Sequence, residues 1–128
     1  MPIVVRAKNF VEEVLEAQEP VLVDFYGDRC VPCQLLSPIL LELSNEFKGL
    51  KFCMFNTDRD TFETDSEYED KFNILAAYQI MSLPTLLLFV DGELRASMIG
   101  LHTRDELLKF FHDHNVFLTP RIVPIDSI

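Results

Sequence analysis

Two rhythms of apolar residues alternate along this chain. Short runs dense in β-branched and aromatic side chains predict strands, and stretches with apolar residues every three or four positions predict helices. Ile3 to Ala7 reads as a short first strand. Asn9-Phe-Val-Glu12 has the form of a capping box, with Phe10, Val11, Val14 and Leu15 following at helical spacing until Pro20. Val21 to Tyr26 is a continuous apolar run broken only by Asp24 and ended by Gly27, which suits a strand covered on both faces. A helix is expected from near Cys30 through Leu35, Leu36, Ile39, Leu40 and Leu43 to Phe47, kinked where Pro38 removes an amide donor. Lys51 to Asn56 is the next strand. Ser66-Glu-Tyr-Glu69 offers a cap for a helix through Phe72, Leu75 and Ala76 to Tyr78. Thr85 to Val90 and Glu93 to Ile99 flank Asp91-Gly92, the strongest hairpin signal in the chain. Thr103-Arg-Asp-Glu106 caps a last helix carrying Leu107, Leu108, Phe110 and Phe111.

The order βαβαβαββα describes an α/β fold, a mixed central sheet flanked by helices. No repeat or Gly/Ser linker interrupts it, so residues 1–115 read as one domain and residues 116–128, with Pro120 and Pro124, as an extended tail. The length of 128 residues fits that reading. A net charge of −10 argues against nucleic acid or an anionic membrane as partner. No apolar run approaches the ~20 residues of a membrane span, and Met1 to Arg6 lacks the form of a secretory signal. A cytoplasmic location is the expectation.

Three cysteines are too few for a disulfide scaffold, and two of them form Cys30-Val-Pro-Cys33. Strand, short loop and Cys-x-x-Cys at a helix start is a specific arrangement. Unpaired amides and the helix dipole favour a thiolate there, so Cys30 is the activated sulfur. It can attack a disulfide, and Cys33 can then resolve the mixed disulfide. Pro32 starts the helix in a fixed conformation. A zinc half-site competes with this reading. Zinc wants four ligands, and only Cys53, His102, His112 and His114 remain, without matching spacing. No metal site is assigned, and the pair itself is the only redox group expected, with no cofactor.

Further motifs fall in an order that resembles the thioredoxin family from about Phe10 to Phe111. Val21 to Tyr26 is similar to that family's central strand with its buried Asp, and Leu35 to Leu41 to its kinked active-site helix. Phe55-Asn-Thr-Asp58 resembles the end of its third strand. Ser82-Leu-Pro-Thr85 is similar to its cis-proline loop, and Asp91-Gly-Glu93 with Ile99-Gly100 to its hairpin and the glycine that follows. The resemblance implies a thioredoxin-like fold and reduction of protein disulfides through Cys30 and Cys33. It implies Asp24 as proton acceptor, Pro84 as organiser of the substrate loop, and an NADPH-linked thioredoxin reductase as electron donor to a monomeric protein. A cis Pro84 would turn the Leu83 backbone towards the cysteines. Val31, Pro32, Leu83, Gly100 and Leu101 would then make a small apolar docking surface, with Arg29 beside it.

The chain also departs from the pattern. Arg29-Cys-Val-Pro-Cys33 stands where the family has Trp-Cys-Gly-Pro-Cys, and the chain has no Trp. A cation beside Cys30 should favour its thiolate and make the disulfide more oxidising. Met54 occupies a position that is commonly lysine, which should make Asp24 harder to ionise. Cys53, one residue earlier, should point to the opposite face and be buried. Residues 58–70 form an unusually long acidic connection, expected as a solvated surface. Two alternatives to the reductase remain: a more oxidising, isomerase-type enzyme, and a binding module acting through the 58–70 stretch or the tail.

Overall fold

A computed structural model describes residues 1–121; the rest of the expected tail, 122–128, lies outside the described residues. Five strands form the main sheet: β1 (Ile3–Val4), β2 (Val21–Tyr26), β4 (Lys51–Asn56), β5 (Thr85–Val90) and β6 (Glu93–Ile99), in the spatial order β1-β4-β2-β5-β6. The β1–β4 and β2–β4 pairs are parallel, and the β2–β5 and β5–β6 pairs antiparallel. Helices α1 (Val31–Glu46), α2 (Asp65–Ala77) and α3 (Arg104–Asp113) connect or follow them. Two-residue strands β3 (Phe47–Lys48) and β7 (Thr119–Pro120) pair separately. This is the mixed α/β, thioredoxin-like architecture. Val116 is buried in the core, so the chain beyond α3 starts by packing on the domain.

Alternation along β2 divides the core in two. Leu22 faces a cluster with Leu36, Leu40 and Leu43 of α1 and Leu107 and Phe111 of α3. Val21, Val23 and Phe25 face the other side, against Phe10, Val14 and Phe89, with Ile74 and Leu75 of α2 at its margin. Both faces of β2 are therefore dry, as a run that is apolar but for Asp24 requires. Cys53 lies on this second side, 1% exposed. Burial pushes its thiol up to about 11, which makes it inert at neutral pH.

The N-terminal segment differs from expectation. The first strand ends at Val4, and the next elements are a 3-10 turn (Ala7–Asn9) and a π-helical turn (Val11–Leu15). Asn9 reaches backward instead of starting a helix: its Oδ1 accepts from the Arg6 amide at 2.7 Å. The irregular winding buries Phe10 and Val14 together, so packing overrides the regular helical repeat. In α2 the cap is Thr64, two residues before Ser66, and its hydroxyl accepts from the Glu67 amide at 3.1 Å. In α3 the capping box of Thr103 and Glu106 forms as expected.

The β5–β6 turn has φ of 53° at Asp91 and 77° at Gly92, the paired positive angles of a tight hairpin. A Cβ at Gly92 would sit 2.4 Å from the Leu15 carbonyl oxygen, so only glycine fits against the π-helical turn.

Phe55 joins the two halves of the second cluster, with ring centroids 6.1 Å from Phe10 and 5.1 Å from Phe25. Phe55→Ala should lower unfolding free energy by about 3–5 kcal/mol in urea titration, the usual cost of a buried aromatic cavity. A loss below ~1 kcal/mol would mean that the N-terminal segment collapses into the space.

Candidate active site

The site lies where β2 ends and α1 begins. Cys30 is the N-cap of α1, with φ −93° and ψ 107°, and its Sγ accepts from the Cys33 amide at 3.2 Å. Pro32 occupies the first turn, where its missing N–H costs no helix bond. The two cysteines form a disulfide across a Cα–Cα distance of 5.2 Å. They differ in access: Cys30 is partly exposed and Cys33 is 3% exposed. When reduced, the sulfur at the cap receives an amide hydrogen bond and the helix-terminal field, both of which favour its anion. The geometry thus supplies an accessible nucleophile and a shielded partner three residues later.

Asp24 is 1% exposed, and neither carboxylate oxygen has a hydrogen-bond partner in the protein. Burial raises its pKa to about 7. It pairs in register with Met54 on one side and Leu86 on the other, so no cation lies in its row to favour the charged form. In-register residues share a sheet face, and Met54 and Cys33 line one open cleft of about 450 Å³. Asp24 is therefore on the face that carries the buried cysteine. The helix α1 runs through Pro38, which lines the same cleft.

The Leu83–Pro84 peptide is cis, and Pro84 is buried. The Pro84 carbonyl accepts from the Gly100 amide at 2.8 Å, which brings the two expected docking segments together. Gly100 has φ of +88° with open space where a Cβ would be, so conformation and not crowding favours glycine there. Val31 and Leu101 are 62% and 45% exposed, Pro32 is exposed and Leu83 is half-buried. Leu83 leans over Gly27, where an added Cβ would lie 3.1 Å from its Cδ1. Arg29 is exposed and takes part in no ion pair among the described residues.

Sequence reasoning missed a polar network behind the loop. The Asp58 carboxylate accepts from the Asp28 amide at 2.7 Å, and the Asn56 side-chain amide donates to the Asp28 carboxylate at 3.0 Å. The Gln34 side chain donates to the Asp28 carbonyl at 3.1 Å. Asn56 and Asp58 belong to the Phe55–Asp58 segment that resembles the end of the family's third strand, but nothing in their spacing indicates a contact to Asp28. Among the described residues no cluster of three or more His, Cys, Asp or Glu is arranged to hold a metal.

The thioredoxin family model matches residues 1–113. The chain belongs to the thioredoxin family. It is 39% identical over 105 residues to the thioredoxin of Rickettsia felis (strain ATCC VR-1525 / URRWXCal2), covering 81% of this chain and 90% of that one. It is 38% identical over 109 residues to thioredoxin C-2 of Corynebacterium nephridii, covering 85% and 91%. Its fold superposes on the crystal structure of Chlamydomonas reinhardtii thioredoxin f2 with a TM-score of 0.75 at 26% identity, covering 91% and 99%. Like the family, this chain is a protein-disulfide oxidoreductase that works by dithiol exchange through Cys30 and Cys33. The binding-module alternative is not favoured.

The raised Asp24 pKa has a consequence for stability. Between about pH 4 and 7 the native protein holds a proton that the unfolded chain has released, so stability falls as pH rises, by about 1.4 kcal/mol per pH unit. Above pH 7 the penalty is constant. Urea unfolding of wild type and D24N at pH 5 and pH 8 should show the wild type losing several-fold more stability over this interval. Parallel losses in the two proteins would mean that Asp24 does not titrate there.

Proposed function

We propose that this protein runs as a reductant of disulfide-bearing proteins in the cytoplasm, as a monomer, and is regenerated by an NADPH-linked thioredoxin reductase. It needs no bound cofactor beyond its own dithiol. The observation that carries the reading is the unequal exposure of two cysteines at one helix start, a partly exposed attacker backed by a shielded resolver.

The Cys30 thiolate attacks one sulfur of a substrate disulfide. A Cys30–substrate bond forms, the substrate S–S bond breaks, and the departing sulfur leaves as a thiolate that solvent protonates. Cys33 then passes its proton to the Asp24 carboxylate and attacks the Cys30 sulfur. The Cys30–Cys33 bond closes, the second substrate sulfur departs, and the substrate has gained the two electrons that the dithiol lost. Asp24 suits this role because a carboxyl titrating near 7 takes and returns a proton within the working range. An extended substrate segment would dock on Val31, Pro32, Leu83, Gly100 and Leu101, with Pro84 fixing the loop, while Arg29 adds a cation beside the nucleophile. Electron transport and redox homeostasis follow as the cellular role.

Cys30→Ser should abolish reduction of insulin disulfides, a fall of at least about a thousandfold, and D24N should slow release of a trapped mixed disulfide by roughly tenfold to a hundredfold. Persistent insulin reduction by Cys30→Ser would overturn the mechanism. The potential of the pair, titrated in glutathione or dithiothreitol with Cys53 replaced by Ala, should lie near about −270 mV. A value of roughly −200 mV or higher would instead favour an isomerase or oxidant role with Arg29 as its cause.

A further inference from the structure

The acidic connection is exposed over most of its length, as its composition suggests, but one of its carboxylates is not. Within it Glu63 turns inward and meets Lys71 of α2 at 2.9 Å, and the two side chains are only 9% and 7% exposed. The Lys71 ammonium also donates to the main-chain carbonyl of Asp58. A buried ion pair with an added hydrogen bond is a costly device that a plain linker does not require.

From Asp58 the contacts lead to the nucleophile. Its amide donates to Asn56 Oδ1 at 2.8 Å, and its carboxylate receives the Asp28 amide. Both carboxylate oxygens would lie 3.6 Å from a Cβ at Gly27, and the Gly27 carbonyl accepts from the Cys30 amide at 3.3 Å. A negative charge is thus held against the segment from which Cys30 departs.

We propose that Lys71 is a positioning residue for Cys30: paired with Glu63, it fixes the Asp58 backbone so that the Asp58 carboxylate clamps the Gly27–Asp28 segment and sets how readily the Cys30 sulfur ionises. This rests on Cys30 being the reactive sulfur. Charged groups on the elements around Cys30 are Asp28 and Arg29 on its own loop, Asp24 in β2, Asp58 after β4 and His102 after β6; the first two turns of α1 and the Leu83–Pro84 segment bring none. Asp58 is the member of this set that the acidic connection holds from behind.

The test is the pH profile of Cys30 alkylation by iodoacetamide in the reduced protein, read by mass spectrometry. It requires no substrate or reductase, so it stands apart from insulin reduction, whose failure in the wild type would strike the oxidoreductase reading itself. Asp58→Ala removes the clamping charge. Below the wild-type midpoint it should raise the alkylation rate about threefold, because an anion near a thiol opposes its ionisation. Lys71→Met combined with Glu63→Gln leaves no orphaned buried charge and should give the same increase by releasing Asp58. The three changes together should give no more than either alone, the non-additivity expected of one pathway. Lys71→Arg should retain the wild-type profile. An unchanged profile in Asp58→Ala, or additive effects in the triple variant, would overturn the proposal. If Lys71→Met with Glu63→Gln does not fold, Asp58→Ala against Lys71→Arg decides it: wild-type behaviour in the first or the loss in the second overturns it.

Discussion

The active end of this molecule depends on one contact, the Cys33 amide aimed at the Cys30 sulfur. It exists only if Cys30 is the last non-helical residue and Cys33 lies in the first turn. The sequence secures this from two directions. Gly27 ends β2, and Pro32 can occupy the first turn but not the middle of a helix, so the start of α1 is confined to a narrow window. Leu36, Leu40 and Leu43 then fix the helix's rotation against the sheet, which turns Cys33 inward and leaves Cys30 outward. Chemical asymmetry between two identical side chains is thus a product of packing.

Asp24 shows the opposite bargain. A leucine in that row would extend the apolar cluster between Leu22 and Leu86, yet a carboxyl with no protein hydrogen bond occupies it. Local rules of sheet packing fail at one position of β2 and hold at its neighbours, which is the usual mark of a functional constraint. With Met54 as its neighbour in place of a cation, desolvation alone governs the group. The same burial that makes it costly to charge brings its titration near neutrality. Stability and proton chemistry therefore draw on a single physical cause.

Legibility in the sequence followed the range of the interactions. The bounds of β2, β4 and β5 could be read because a largely dry strand is a near-continuous apolar run with turn residues at its ends, and those of the exposed edge strand β6 because the Asp91-Gly92 turn marks where it starts; both signals are local. The Cys30 cap, the α3 capping box and the hairpin at Asp91-Gly92 are local as well. Motif order, rather than any propensity, pointed to the cis bond before Pro84. The errors came where distant packing chose between local options. Asn9 suits a cap facing either way, and burial of Phe10 and Val14 decided it. Thr64 and Ser66 both suit the start of α2, and the inward turn of Glu63 goes with the earlier one. The clamp on Asp28 spans 30 residues in sequence, a separation at which composition carries no information about partners.

Overall charge and local field act in opposite senses on the reactive sulfur. A chain at −10 surrounds every thiolate with a potential that opposes its formation. That opposition is spread over the surface, and salt attenuates it within about 8–10 Å. The amide donor at 3.2 Å and the terminal field of α1 lie well inside this distance and cannot be screened in the same way. Three carboxylates of the 58–70 connection also have a cation beside them, Lys71 on Glu63, Arg59 on Asp65 and Arg6 near Asp60. What remains near the sulfur is a small set of charges at fixed positions. Bulk acidity then bears on how fast a partner of either sign arrives, whereas the geometry of the Cys30 loop bears on what happens once it is there.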